Sequence, residues 1–407
     1  MSRAAPLPVK ASDPEGKILC IADLEREGSK KLSKVARGEW NGSSHQMLQK
    51  FETPHLLSSH YEIDLFLHLK STLSIHFTHS NITSPFLLSK ISPIPEFFNS
   101  GSTDQQTIAE NIRAFQKYLL RSRVLVNVSE CDTRTTLWGT HLTMPLGIAP
   151  TGLQAMAHHD GELGTARSCA RKHLPMAIST FATHTIEEIG EAGLTVTGSS
   201  PFLMALQMYT MRDRALMERL LRRAEAIGCK AIFLTGDSPV LGVRYNEWRN
   251  DFRVPEELGF PNVEVSAGRW RMGTHDASFS GFNDNAHCWE RDIPWLRERT
   301  KMEVWVKGVL TAEDTKAAVR AGCDGIVVSN HGGRQLDGVP ATVDALVECV
   351  EAAKGSNLRI HVDGGFRRGS DVFIALALGA ECCWVGRPAL WGLAVRFIPF
   401  TSSVRKS

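Results

Sequence analysis

The chain has 407 residues, with 46 Lys and Arg against 44 Asp and Glu, a formal net charge of +2. Apolar residues make up 43% and charged residues 22%, which suits a folded globular protein and excludes a disordered polyelectrolyte or a nucleic-acid binder driven by bulk charge. No uncharged apolar run reaches the ~18 residues of a membrane span, and Met1–Lys17 lacks the apolar core of a signal peptide. Nine cysteines without a CxxC pair point to reduced thiols, hence to a soluble intracellular protein.

In chain order, Ile21, Leu24, Leu32 and Val35 share one face of a helix that stops at Arg37. Residues 38–95 break the trend: they hold no Ala, Val or Arg, but six His and ten Ser. From Leu146 onward, short apolar runs alternate with longer amphipathic stretches. The runs are Leu146–Pro150, Met176–Thr180, Phe202–Met208, Ala231–Asp237, Val304–Gly308, Gly325–Asn330, Arg359–Gly365 and Cys382–Arg387. Most are rich in Val, Ile or Leu without strict alternation, as expected of strands covered on both faces. Helices are predicted between them, among them Asp213–Ile227 and Ala312–Ala321, the latter with Thr311 as N-cap and Gly322 as C-cap. Eight strands separated by helices allow a closed (β/α)8 TIM barrel or an open doubly wound sheet. Polar residues end nearly every run (Thr151, Ser179, Gln207, Asp237, Lys307, Asn330, Asp363, Arg387), which favours the barrel, since a barrel gathers its site from all strand ends. The expected organisation is an N-terminal helical segment over 1–37, an atypical, poorly ordered insert over 38–95, and a barrel domain over 96–407 whose last helix is cut short.

Three motifs carry chemistry. Ser329-Asn330-His331-Gly332-Gly333-Arg334-Gln335-Leu336-Asp337 follows a buried strand. It offers an imidazole for proton transfer and, three residues later, a guanidinium able to grip a carboxylate through two hydrogen bonds. On spacing alone a His-Arg turn with purely structural roles also fits. Asp237 could hold an imidazolium and Arg244 could be a second carboxylate ligand, although Asp-Ser-Pro by itself reads equally as a helix N-cap. Asp363-Gly364-Gly365-Phe366-Arg367 and Gly386-Arg387 follow strands seven and eight, where glycines let backbone amides approach a phosphate and arginine neutralises it. Lys307 within Val-Trp-Val-Lys-Gly needs an anionic partner, such as a reduced flavin, or a shifted pKa.

Taken together, these motifs resemble the FMN-dependent α-hydroxy-acid oxidase and dehydrogenase family, which includes glycolate oxidase, lactate oxidase, mandelate dehydrogenase and the flavin domain of flavocytochrome b2. The resemblance runs from about Gly101 to Leu393, with Ile21–Arg37 similar to the family's opening helix. It implies oxidation of an (S)-2-hydroxy acid to the 2-oxo acid, with two electrons passed to FMN and then to oxygen or another acceptor. It implies His331 as catalytic base, Asp237 stabilising its protonated form, Arg244 and Arg334 binding the substrate carboxylate, and Tyr209 near the reacting hydroxyl. Lys307 would face the flavin N1–O2 edge. Ala149, Pro150, Thr151, Ser179, Gln207, Thr235 and Ser329 would contact the flavin ring and ribityl chain, and Asp363, Gly365, Arg367, Gly386 and Arg387 its ribityl and phosphate end. No metal is implied. Family habit adds a homotetramer and a cytoplasmic or peroxisomal location, with no nucleic-acid or membrane partner.

The chain also departs from the family. Phe97 replaces a tyrosine that binds the substrate carboxylate; losing that hydrogen bond, worth about 1–3 kcal/mol to a charged ligand, favours a more apolar acid. Phe181 replaces a tryptophan and leaves more room in the pocket. Gly152 stands where the glycolate-oxidase branch has Ala, a lean toward poor oxygen reactivity. Excising 38–95 restores an uninterrupted family helix, and the family's eighth barrel helix is not recognisable after Ala394. Both segments, 38–95 and 395–407, are therefore expected to come from unspliced or mispredicted coding sequence, and the competing reading is an inactive or unstable flavin-barrel remnant.

Overall fold

The computed structural model describes residues 25, 94–198, 202–255, 257–263, 279 and 281–395. The expected opening helix, apart from Glu25, the insert up to residue 93, and the tail from 396 lie outside the described residues. Helix α1 (Ile94–Asn99) begins two residues ahead of the boundary expected at 96 and leads through a loop into α2 (Gln106–Arg113).

Two short strands, β1 (Thr135–Leu137) and β2 (Thr140–Leu142), form an antiparallel hairpin. Its two-residue turn is Trp138-Gly139, at φ +49° and +74°. Positive φ at both turn positions matches the right-handed twist of the strands but ordinarily favours Asn or Gly; Trp138 is held there by its ring contacts with Phe233 and Trp305. No Asn-Gly or Asp-Gly marks it, and sequence reasoning did not anticipate this hairpin.

The eight predicted strands all form. They are β3 (Leu146–Ile148), β4 (Met176–Ile178), β5 (Met204–Tyr209), β6 (Ala231–Thr235), β7 (Glu303–Val309), β8 (Gly325–Val328), β9 (Arg359–Asp363) and β10 (Cys382–Val385). Each pairs in parallel with its neighbour, and β10 pairs back onto β3, closing the barrel. The two helices singled out in the sequence are Arg214–Ala226, with the Asp213 side chain accepting from the Leu216 amide, and Ala312–Ala321, with Thr311 accepting from the Asp314 amide and Gly322 left-handed at φ +74°. After β10 a helix of nine residues, Arg387–Val395, packs against the helix Gly161–Lys172. No described helix is long and apolar enough to cross a membrane.

The period of two along each strand divides the barrel into layers. Ile232, Leu234, Val304, Val306, Leu206 and Met208 face outward into the shell of helices. Ala205, Ala231, Phe233, Trp305, Val327, Cys382 and Trp384 face inward and pack against Leu137, Leu142 and Trp138 of the hairpin, which plugs the end where the strands begin. Two residues further along each strand the same inward face carries Gln207, Thr235, Lys307, Ser329 and Asp363. An aromatic floor therefore sets the height of a polar layer. Phe233→Ala should cost about 3–5 kcal/mol, read as a lowered urea midpoint; a loss below about 1 kcal/mol would show that the floor is not part of the cooperative core.

Candidate active site

The polar layer opens into a cleft of ≈ 1350 Å³ at the strands' C-terminal ends. Of the residues expected to form the site, Phe97, Ala149, Pro150, Thr151, Ser179, Phe181, Gln207, Tyr209, Thr235, Arg244, Lys307, His331, Arg334, Asp363, Gly365, Arg367, Gly386 and Arg387 line it. Asp237 and Ser329 do not. They stand behind the lining and hold residues that do.

His331 Nδ1 lies 2.9 Å from Asp237 Oδ1. The carboxylate orients the ring so that Nδ1 donates and Nε2 keeps its lone pair. Burial pushes the imidazole below its ordinary pKa; Asp237 opposes that shift and the nearby Lys307 adds to it. Burial would raise the Asp237 carboxyl, but His331 and Lys307 outweigh it and hold the group below its usual range. His331 itself sits at φ +58°, and its amide donates to Ser329 Oγ at 3.0 Å. Lys307 Nζ donates to the same oxygen at 2.8 Å and lies 3.2 Å from Asp363 Oδ2. Ser329 thus ties the base to the lysine of the neighbouring strand.

Arg244 and Arg334 meet over one buried carboxylate that sequence reasoning missed. Glu247 Oε1 is 2.9 Å from Arg244 Nη1 and 3.6 Å from Arg334 Nη2. The signal was available, since Glu247 follows Arg244 by three residues on the short helix Tyr245–Arg249. Arg334 also donates to the carbonyls of Phe97 and Ser100 and lies 4.9 Å over the Phe97 ring. Burial and then Arg244 push the Arg334 guanidinium well below its ordinary range, against Glu247. Its environment therefore favours an incoming anion.

Gln335 was quoted within its motif without a role. Its Nε2 donates to the carbonyls of Asp237 and Val240, each at 3.0 Å, and its Oε1 accepts from the Gly242 amide at 3.1 Å. It staples the loop bearing Asp237 to the loop bearing His331 and Arg334. Gly242 lies so close that a Cβ there would meet the Arg334 carbonyl at 2.3 Å. Asp337 accepts from the Gln106 and Thr107 amides and from Thr103 Oγ1, capping α2 from a distance. On the opposite wall, fully buried Glu162 accepts from the amides of Gln154 and Thr183 at 3.1 Å and pairs with His184 Nδ1 at 3.0 Å, tying together the loops of Thr151 and Phe181.

The remaining lining fits a flavin phosphate. Asp363 Oδ1 is buried without a hydrogen-bond partner among the described residues, and Arg367 Nε has an ion-pair contact with Glu25 Oε2 at 3.7 Å but no hydrogen bond there. Gly365 sits at φ +83°, and a Cβ there would fall 2.0 Å from the Asn111 carbonyl. The α2 backbone is held at that point by a reciprocal amide pair between Asn111 and Asn330, 2.8 Å in each direction. A Cβ on Gly386 would project beside Thr151 Oγ1 at 3.5 Å, into the cleft wall. Arg387 donates to the carbonyls of Phe98, Gly332 and Ser100, which leaves two of its five N–H groups for a ligand. Burial and then Arg367 bring its pKa down to about 9. These residues would hold FMN: Lys307, Gln207 and Thr235 at its ring system, and the Gly365 turn with Arg367 and Arg387 at its phosphate.

Residues 90–396 match the family model described as FMN-dependent dehydrogenase. Over 303 residues the chain is 46% identical to Oxidase FUB9 of Gibberella moniliformis, covering 74% of this chain and 76% of that one. It is 44% identical to 2-Hydroxyacid oxidase 1 of Homo sapiens over 308 residues, covering 74% and 81%. Among solved structures, a mandelate oxidase superposes with a TM-score of 0.69 at 30% identity, covering 93% of this chain and 88% of that one. Arg367→Gln should yield folded protein that has lost most of its flavin, read from the ratio of visible to ultraviolet absorbance. Full flavin content in that variant would remove Arg367 from the cofactor site. The chain belongs to the FMN-dependent dehydrogenase family, and FMN is its cofactor.

Proposed function

We propose that the protein oxidises an (S)-2-hydroxy acid to the corresponding 2-oxo acid, with His331 as base and with oxygen or another acceptor reoxidising the flavin. The observation that carries the reading is the His331–Asp237 pair at 2.9 Å on the same cleft as Arg244 and Arg334. The two arginines supply N–H groups for the substrate carboxylate and so aim the carbinol carbon. Tyr209, buried beside them, has its phenol pKa pushed up by burial and by Asp237, so it remains a hydroxyl that can hydrogen-bond the substrate oxygen. His331 Nε2 accepts a substrate proton, and Asp237 stabilises the imidazolium that results. When bound, FMN would supply the oxidant, a two-electron acceptor that also takes up the second of the two hydrogens lost as the carbinol becomes a carbonyl. Ser329 and Lys307 hold the base and the flavin edge in register.

The names of 2-Hydroxyacid oxidase 1 and of Glycolate oxidase 1 of Zea mays, 45% identical over 303 residues, support this substrate class. Gly152 has a packing reason of its own, since a Cβ there would meet the Phe181 carbonyl at 2.7 Å. Its identity therefore does not decide the acceptor. Anaerobic addition of a panel of 2-hydroxy acids should bleach the flavin absorbance, and admitting air times the return if oxygen is the acceptor. Protein that binds FMN and is bleached by none of them would instead be the inactive remnant. His331→Gln should retain FMN and slow the bleaching by about 10²–10⁴-fold; a rate within threefold of the unsubstituted protein would exclude His331 as the base.

A further inference from the structure

The arginine pair is only half of the substrate end of the cleft. The other half is a wall of aromatic rings. Phe181 packs edge-on to Phe260 at 5.3 Å and lies 5.5 Å from Tyr209, which in turn meets Phe279 edge-on at 5.2 Å. Phe260 and Phe279 are almost wholly buried, and all four rings line the cleft together with Leu241. On the arginine side, Phe97 stacks on Phe252 at 4.4 Å. The hydroxyl of Tyr209 is the one polar group that these rings present.

Charge counting at the arginine end adds a second constraint. Arg244 and Arg334 carry two positive charges, and Glu247, in reach of both, removes one. The clamp is left with a single net positive charge. Of the other cations lining the cleft, Lys307 is paired with Asp363, while Arg367 and Arg387 belong to the phosphate end. Among the described residues these five are the lysines and arginines that line the cleft. A second carboxylate against the Phe181–Phe260–Phe279 wall would be stripped of water with no further described lining cation to pair it.

We infer that the site selects monocarboxylic 2-hydroxy acids with an apolar side chain of about phenyl size, Phe181, Phe260 and Phe279 accepting that side chain and Glu247 limiting the clamp to one carboxylate. The inference rests on the proposed function for the hydroxyl and the redox step. It does not need them for the order of binding, because unreactive carboxylates read the same pocket. Small hydroxy acids leave the aromatic wall uncovered, whereas a phenyl group replaces water there and adds ring-to-ring contacts.

The test is calorimetric titration of the FMN-loaded protein with acetate, phenylacetate and succinate, none of which carries a hydroxyl to oxidise. Phenylacetate should bind at least about 10-fold more tightly than acetate, and succinate no more tightly than acetate. Phe260→Ala should lower the phenylacetate affinity by about 5- to 10-fold and leave acetate within twofold. If that variant does not fold, Phe181→Leu serves the same comparison. Equal affinities for acetate and phenylacetate, or tighter binding of succinate than of phenylacetate, would overturn the inference. Should phenylacetate bind as expected while no 2-hydroxy acid bleaches the flavin, the proposed redox function fails and the pocket assignment stands.

Discussion

Burying cations at the mouth of the barrel is the constraint on which the rest of this structure depends. A guanidinium or ammonium removed from water must be met by acceptors or it destabilises the fold. Arg334 and Arg387 are met by backbone carbonyls of Phe97, Phe98, Ser100 and Gly332, which obliges the C-terminal end of α1 and the residue after it to lie across the cleft. Arg244 and Arg334 share Glu247, and Lys307 shares Ser329 and Asp363. Five cations (Arg244, Arg334, Lys307, Arg367 and Arg387) line this mouth, and the proposed substrate carboxylate and the flavin phosphate would add the anions that meet them, so the features that fold this region would also prepare it for anions.

The barrel supplies the precision. Because side chains alternate along a strand, filling the floor with Phe233, Trp305, His361 and Trp384 sends Thr235, Lys307 and Asp363 to the layer above in the correct orientation. The loops that follow are pinned by side chains with no part in the chemistry. Gln335 joins the Asp237 loop to the Arg334 loop, Asp337 joins the latter to α2, and Glu162 joins the Thr151 and Phe181 loops. A mobile imidazole would lose most of its advantage over water; these staples keep it in one place.

Much of this was legible in the sequence because it rests on local pattern. Eight short apolar runs with polar ends specify a barrel, and His331, Arg334, Asp237, Lys307 and Gly365 each sit at a strand end where chemistry collects. What escaped was non-local. Nothing in Trp138-Gly139 announces a barrel plug, since the reason for that tryptophan lies in Phe233 and Trp305, far along the chain. Glu162 looks like an ordinary first-turn helix acid until Thr183 and His184 arrive beside it. Gln335 reads as a surface amide inside a motif, and its three partners are visible only once the Asp237 loop is folded against it.

Desolvation and Lys307 push the buried imidazole of His331, the proposed base, below its ordinary pKa, and Asp237 opposes that shift. With the pKa below the ordinary 6.5, the neutral ring is the majority form at pH 6.5 and above, and the proposed base is lost as the pH falls through the depressed value. The most direct measurement is the pH dependence of the anaerobic flavin-reduction rate at low substrate concentration. The predicted profile has an acid limb whose midpoint lies below 6.5, so that at pH 6.5 the rate already exceeds half of its plateau. A midpoint at or above 6.5, absent from His331→Gln, would contradict it.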